Sequence, residues 1–126
     1  MEELIDLDFF DPIDKYGVIK ATIHKSGKLG FSSGAAKVME LEKKSYFNIG
    51  FNKANSDDKS LYMIPLNGET EKSFKVVKAG DYYYIFIKHI LRDLQLDYKA
   101  ESIIFDIEEV NVGEKKCYKL VRRKRK

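Results

Sequence analysis

Residues 46–51 read Tyr-Phe-Asn-Ile-Gly-Phe, and residues 102–107 read Ser-Ile-Ile-Phe-Asp-Ile. Large apolar residues alternate with small or polar ones in both stretches, which is typical of a strand that buries one face. The alternating apolar residues are therefore expected to form the centre of one shared core. They are Phe47, Ile49, Phe51, Ile103, Phe105 and Ile107.

An offset of 56 positions relates the first stretch to the second and continues into the strand-like run that follows each of them. It matches Tyr62 with Tyr118, and the polar loops 53–58 and 109–114 between the runs have equal lengths. Chance similarity of two amphipathic segments is the alternative explanation. The matching element order favours an internal duplication.

Upstream of each stretch, the sequence predicts a β-hairpin followed by a helix. Gly27 and Gly80 lie in the two turns, where a tight hairpin needs a residue with positive φ. Helices are expected over residues 33–42 and 88–97, and the second should be the longer because its apolar residues sustain a helical period. Either serine of the pair at 32–33 can cap the first helix.

These elements together predict an α+β fold. It is a tandem duplication of a strand–strand–helix–strand–strand unit, with mainly antiparallel sheets and pseudo-twofold symmetry. An acidic, apolar arm over residues 1–16 precedes a single domain over residues 17–121, which is made of the repeats 18–67 and 73–121. A basic tail over residues 122–126 follows it.

Composition restricts the class of protein. The 126 residues are 44% hydrophobic, which is enough for one core, and the longest apolar run, 82–87, is far shorter than the ~18 residues of a membrane-spanning helix. The acidic start at Met1 lacks the pattern of an export signal, and a single cysteine, Cys117, excludes an internal disulfide framework. We therefore expect a cytoplasmic protein with no membrane partner.

No set of residues indicates catalysis or metal binding. The only histidines, His24 and His89, occupy non-equivalent positions, and one cysteine cannot complete a zinc site of usual spacing. The Gly-, Lys- and Ser-containing stretch 27–34 is similar in composition to a phosphate loop but lacks its closing Gly-Lys-Ser/Thr, so a hairpin followed by a capped helix is favoured. We expect a protein that is not an enzyme, with no catalytic residue, cofactor or metal.

Charge is distributed unevenly along the chain. Residues 1–14 carry six acids and no base, whereas residues 15–53 carry eight bases and two acids. Residues 54–114 carry seven bases and twelve acids, and residues 115–126 carry eight bases and no acid. A basic first third and a basic tail favour an anionic polymer as partner.

The leading functional hypothesis is therefore non-enzymatic binding of DNA or RNA in a regulatory or accessory role, with affinity supplied by the first hairpin and the tail. A solubilising tail, or a tail that clasps the acidic arm, is the alternative for the C-terminus. The residues expected to bind nucleic acid are Lys20, Lys25, Lys28, Arg122, Arg123, Lys124 and Arg125.

The strand-like run 82–87, Tyr-Tyr-Tyr-Ile-Phe-Ile, is apolar on both faces. The polar tips of its tyrosines would permit partial exposure, and such a strand can stack the bases of a single-stranded nucleic acid. A central strand, covered on one face by the helix and on the other by the second repeat or by another subunit, is the structural alternative, and it is the one that we favour.

The arm carries large apolar residues interleaved with acids and is too apolar to remain fully solvated. These residues are Leu4, Ile5, Leu7, Phe9 and Phe10. They support a second functional hypothesis, an interaction or scaffold module without nucleic-acid binding. In it, residues 1–14 dock onto a protein partner or another copy of the chain.

Residues 23–31 read Ile-His-Lys-Ser-Gly-Lys-Leu-Gly-Phe, residues 35–41 read Ala-Ala-Lys-Val-Met-Glu-Leu, and residues 46–49 read Tyr-Phe-Asn-Ile. This order of basic strand, turn, strand, short helix and strand resembles the swapped-hairpin transcription factors of the AbrB and MraZ type, over residues 18–51. Basic residues of the first strands and loop contact DNA in that family. Carried over by position, the resemblance implies DNA contacts for Lys20, Lys25 and Lys28.

Overall fold

The computed structural model describes residues 4–10, 17–94, 96–100 and 102–123. Within these ranges the chain forms nine strands and two helices. The strands are β1 (Lys20–Ile23), β2 (Lys28–Phe31), β3 (Tyr46–Phe51), β4 (Leu61–Leu66), β5 (Phe74–Lys75), β6 (Val77–Ala79), β7 (Tyr82–Phe86), β8 (Ile103–Val112) and β9 (Lys115–Arg122). The helices are α1 (Ser33–Val38) and α2 (Lys88–Asp93). Neither of the helices described is long and apolar enough to cross a membrane.

All nine strands belong to one sheet, in the order β5-β3-β4-β9-β8-β1-β2-β7-β6. The two outermost strands, β5 and β6, are separated in sequence by Val76 alone. The Val76 N–H donates to the Ser45 carbonyl at 2.7 Å and so extends the pairing of β5 with β3, while β6 pairs with β7. One short stretch of chain therefore joins both margins of the sheet, which is nearly closed and barrel-like.

The predicted α+β class is wrong, because the structure is 43% strand and 11% helix. Strands of the predicted repeats are interleaved within a single sheet, in which β4 pairs with β9 and β1 pairs with β8. The physical reason is edge pairing. Strands of the two segments satisfy each other's backbone groups, so the sheet curls around its own core and needs no separate helical layer.

Both helices are six residues long, so the prediction of a longer second helix is also wrong. The first ends at Val38 because the chain turns at Glu40, which adopts the left-handed conformation with φ of 54°. The predictions of a serine N-cap and of positive φ at the two turn glycines are confirmed. The Ser32 hydroxyl accepts from the Ala35 N–H at 3.2 Å as an N-cap, and Gly27 and Gly80 have positive φ values of 87° and 62°.

The core lies inside the curled sheet. Phe47, Ile103 and Phe105 are buried there as predicted, together with residues from the other strands such as Leu29 and Met63. Ile49 and Ile107 are only partly buried and pack against this core.

Phe51 is 70% exposed, which corrects its assignment to the core. It is the last residue of β3 and stands opposite Leu61, where a cavity of about 540 Å³ opens beside the loop between β3 and β4. The alternation of apolar residues thus continues past the point at which other elements cover the strand.

Candidate nucleic-acid interface

Strand β7 presents a row of aromatic side chains on its outer face. Tyr82, Tyr84 and Phe86 alternate with Ile85 and Ile87, which are fully buried, because successive side chains of a strand point to opposite sides. Tyr82 is 38% and Phe86 54% exposed. The outer face of β7 is therefore partly exposed in the single chain, and its coverage by another subunit stays a prediction.

The Tyr82 ring lies across β2 and reaches β1. Its hydroxyl is 2.6 Å from Nε2 of His24, and it passes directly over Gly30, where a Cβ atom would lie 1.4 Å from the hydroxyl oxygen. Glycine at this position of β2 leaves the space that the ring fills. Partial burial raises the pKa of the Tyr82 hydroxyl, so the group stays protonated near neutral pH.

The rings form a strip along β7 that ends at His24, the residue after β1. The ring centroids of Tyr82 and Tyr84 are 6.1 Å apart at an interplanar angle of 28°, and those of Tyr84 and Phe86 are 5.1 Å apart at 88°. The His24 ring contacts Tyr82 edge to face, at 6.1 Å between centroids. Such contacts hold aromatic side chains in defined orientations.

Lys28 borders this strip. It lies opposite Phe86 in the β2–β7 register, and its Nζ is 4.5 Å from the centroid of the Tyr84 ring and 5.4 Å from that of Phe86. A lysine ammonium at this distance is attracted by the electron-rich face of each ring. The structure thus combines a cation with partly exposed aromatic faces at one end of β7.

The other predicted basic residues are distributed around this face. Lys25 is exposed in the β1–β2 turn, while Lys20 lies at the far end of β1, opposite Asp106. Arg123 donates to the Asp106 carboxylate at 2.6 Å, so Lys20 and Arg123 flank one acidic group.

Arg122 is placed differently. It stands opposite the buried Phe105 and lines the cavity near Phe51. Lys124 and Arg125 lie outside the described residues.

The aromatic run is evident in the sequence, but the link from Tyr82 to His24 is not. Gly30 was the available signal, because a glycine inside a strand often marks close approach by another group. Which group would approach depends on the pairing of β2 with β7, and those strands are some fifty residues apart in sequence.

The described residues contain no group of three or more His, Cys, Asp or Glu side chains that could hold a metal ion. Cys117 is buried, and burial raises the pKa of its thiol, which disfavours the reactive thiolate.

Comparison of the chain with protein-family models, curated proteins and solved structures finds no match. The arrangement of the side chains is consequently the basis on which a function can be assigned.

Proposed function

We propose that this protein binds single-stranded nucleic acid, without catalysis, across the outer face of β1, β2 and β7. The observation that carries the proposal is the partly exposed strip of Tyr82, Tyr84 and Phe86 with Lys28 beside it. Aromatic platforms next to cationic groups bind unpaired bases by stacking and the backbone by charge.

Lys28 has two roles in this proposal. Without ligand, its ammonium group lies over the Tyr84 and Phe86 rings. A phosphate is a stronger partner for an ammonium group than a ring face. On binding, the lysine therefore turns to the backbone and leaves the rings free for bases.

Single strands fit this face better than duplexes, because bases in a duplex are already stacked and their faces are inaccessible to side chains. The resemblance of residues 18–51 to the swapped-hairpin DNA-binding family supports contacts at Lys20, Lys25 and Lys28. The strip on β7 extends that surface into the second half of the chain. In this proposal the aromatic side chains of β7 add to the affinity that the first hairpin and the tail were predicted to supply.

The test is fluorescence anisotropy with labelled single-stranded DNA, single-stranded RNA and a duplex of equal length, at several salt concentrations. Replacing Tyr84 and Phe86 with alanine should weaken single-strand binding at least about tenfold, since each stacked base contributes roughly 1–3 kcal/mol. The salt dependence should change little, because neither ring carries charge.

The double variant Lys25→Ala/Lys28→Ala should instead lower the slope of log K against log salt by about 1.4, or about 0.7 per phosphate contact. The matched control is Lys59→Ala/Lys115→Ala, which removes the same charge at exposed positions just before β4 and at the start of β9. These strands are not β1, β2 or β7.

Absence of binding at low salt would refute the proposal. Equal binding of duplex and single strands that is insensitive to the aromatic substitutions would also refute it, and would leave only nonspecific charge attraction. Removal of residues 122–126 measures the contribution of the tail. This deletion should flatten the salt dependence without abolishing binding.

A further inference from the structure

A groove of about 860 Å³ lies on a different part of the sheet from the aromatic strip, between β3, β4, β9 and the end of β8. Its surface is mainly apolar and includes Tyr62, Ile64, Val110, Val112 and Cys117.

Three lysines line the same groove: Lys53, Lys72 and Lys119. No Asp or Glu occurs among the described residues that line it. An apolar floor with positive charge at its margin selects an occupant that is both apolar and acidic.

Residues 4–10 of the arm have this composition, reading Leu-Ile-Asp-Leu-Asp-Phe-Phe. The five apolar side chains are all at least 69% exposed, and Leu4 and Phe10 are fully so. A run of large exposed apolar residues at this density is unfavourable in water and typical of a binding segment.

We propose that residues 4–10 of a second copy of this chain occupy the groove, so that two copies exchange arms. The leucine and phenylalanine side chains pack on the apolar floor, and the carboxylates of Asp6 and Asp8 meet the marginal lysines. A second copy is the occupant because, in the structure, the chain's own apolar arm residues lie exposed to solvent.

The origin of the arm suits such an exchange. The Ile107 N–H donates to the Ile19 carbonyl at 3.4 Å, so the chain joins the body beside β8, the strand that carries Val110 and Val112 of the groove. Six residues lie between Phe10 and Gly17, so their Cα atoms can be at most about 25 Å apart in an extended chain. Two grooves that face each other across a twofold axis would each lie within reach of the other copy's arm, and the assembly closes as a dimer.

This inference does not depend on nucleic-acid binding, because the groove and the aromatic strip lie on different strands. Dimerisation through the groove would leave both aromatic strips available, and a long single strand could then engage two sites at once.

Sedimentation equilibrium of the full chain over a range of concentrations tests the proposal, and we expect a reversible dimer. Phe9→Ala/Phe10→Ala and Lys72→Glu/Lys119→Glu should each weaken the dimer at least about tenfold, through loss of apolar burial and through charge repulsion respectively. The matched control Lys43→Glu/Lys78→Glu reverses two exposed lysines outside the groove and should leave the dimer unchanged.

Two further measurements locate the contact. A chain that combines Asp6→Lys/Asp8→Lys with Lys72→Glu/Lys119→Glu should regain the dimer, since both partners of the attraction are reversed. Mixing the Phe9→Ala/Phe10→Ala chain with the Lys72→Glu/Lys119→Glu chain should give a heterodimer held by one intact arm and one intact groove.

A wild-type chain that stays monomeric at the highest concentration would overturn the proposal. So would a dimer that survives both double variants, or one that the reversed charges fail to restore, because the arm would then bind elsewhere.

Discussion

At the scale of single residues, Gly30 shapes the aromatic face because it has no side chain. A Cβ atom there would lie 1.4 Å from the Tyr82 hydroxyl and 2.7 Å from Nε2 of His24. Gly30→Ala should therefore displace Tyr82 and break its hydrogen bond with His24. The expected loss of stability is about 0.5–1.5 kcal/mol, the usual contribution of one such bond.

Urea denaturation of Gly30→Ala measures this effect, with Gly50→Ala as the matched control. Gly50 is also a strand glycine, but a Cβ atom there would meet nothing within 4 Å. Equal changes in the free energy of unfolding for the two variants would contradict the placement of the Tyr82 ring over Gly30.

A second residue-scale prediction concerns Asp58, whose carboxylate organises the loop before β4. It accepts hydrogen bonds from the Tyr62 hydroxyl, from Nδ2 of Asn52 at 3.1 Å and from the Ser60 N–H at 3.0 Å. These bonds, that from Tyr62 above all, hold the pKa of the Asp58 carboxyl well below its ordinary value.

A depressed folded-state pKa contributes stability at pH values above the pKa of the unfolded chain. That contribution is lost as the pH falls through the folded-state pKa. Asp58→Asn should therefore destabilise the protein at neutral pH, and the difference from wild type should narrow below about pH 4, where the unfolded carboxyl is protonated. Unfolding free energies across this pH range test the prediction, with the exposed neighbour Asp57→Asn as control. A constant difference would contradict it.

At the scale of secondary structure, β8 is central because it pairs with both β1 and β9. Phe105 on its inner face is 1% exposed, and truncation to alanine should cost roughly 3–5 kcal/mol through lost burial and the cavity left behind. Phe51→Ala, at the exposed end of β3, removes the same side chain and should cost under about 1 kcal/mol. Denaturant unfolding compares the two variants. Similar losses of unfolding free energy would contradict the assignment of Phe105 to the core and of Phe51 to the surface.

The first helix depends on Ser32 in more than one way. Its hydroxyl caps α1 at Ala35, accepts from the Lys20 N–H at 3.1 Å and donates to the Val18 carbonyl at 2.6 Å. Because the group joins the helix to the start of β1, Ser32→Ala should cost about 1–2 kcal/mol, in the upper range for N-caps. Thermal or denaturant unfolding measures the loss. Ser33→Ala is the control, since Ser33 is exposed in the first turn of the same helix, and equal effects would argue against the capping role.

At the scale of the whole molecule, closure of the sheet makes the two halves of the chain interdependent. Strands of the first half pair with strands of the second at β4–β9, β1–β8, β2–β7 and β3–β5. We therefore expect one cooperative unfolding transition, with far-ultraviolet circular dichroism and tyrosine absorbance changing together. Two separate transitions would show that the predicted repeats 18–67 and 73–121 are independently stable.

Local features of this protein were determined by the sequence alone. Alternating apolar residues mark β3 and β8, glycines at 27 and 80 supply the turns with positive φ, and Ser32 caps the first helix. Each depends on groups within about four residues of one another, so short-range geometry is sufficient to specify it.

Only the tertiary structure decided which faces are covered. Tyr82 and Phe86 remain partly exposed, and Phe51 lies outside the core, although all three belong to strands whose apolar pattern predicts burial. Coverage depends on which strands pair and on how Val76 joins the two margins of the sheet, and those contacts connect residues far apart in sequence. A period of two residues specifies that a strand has two faces, whereas the pairing of distant strands determines which face meets the core and which meets solvent.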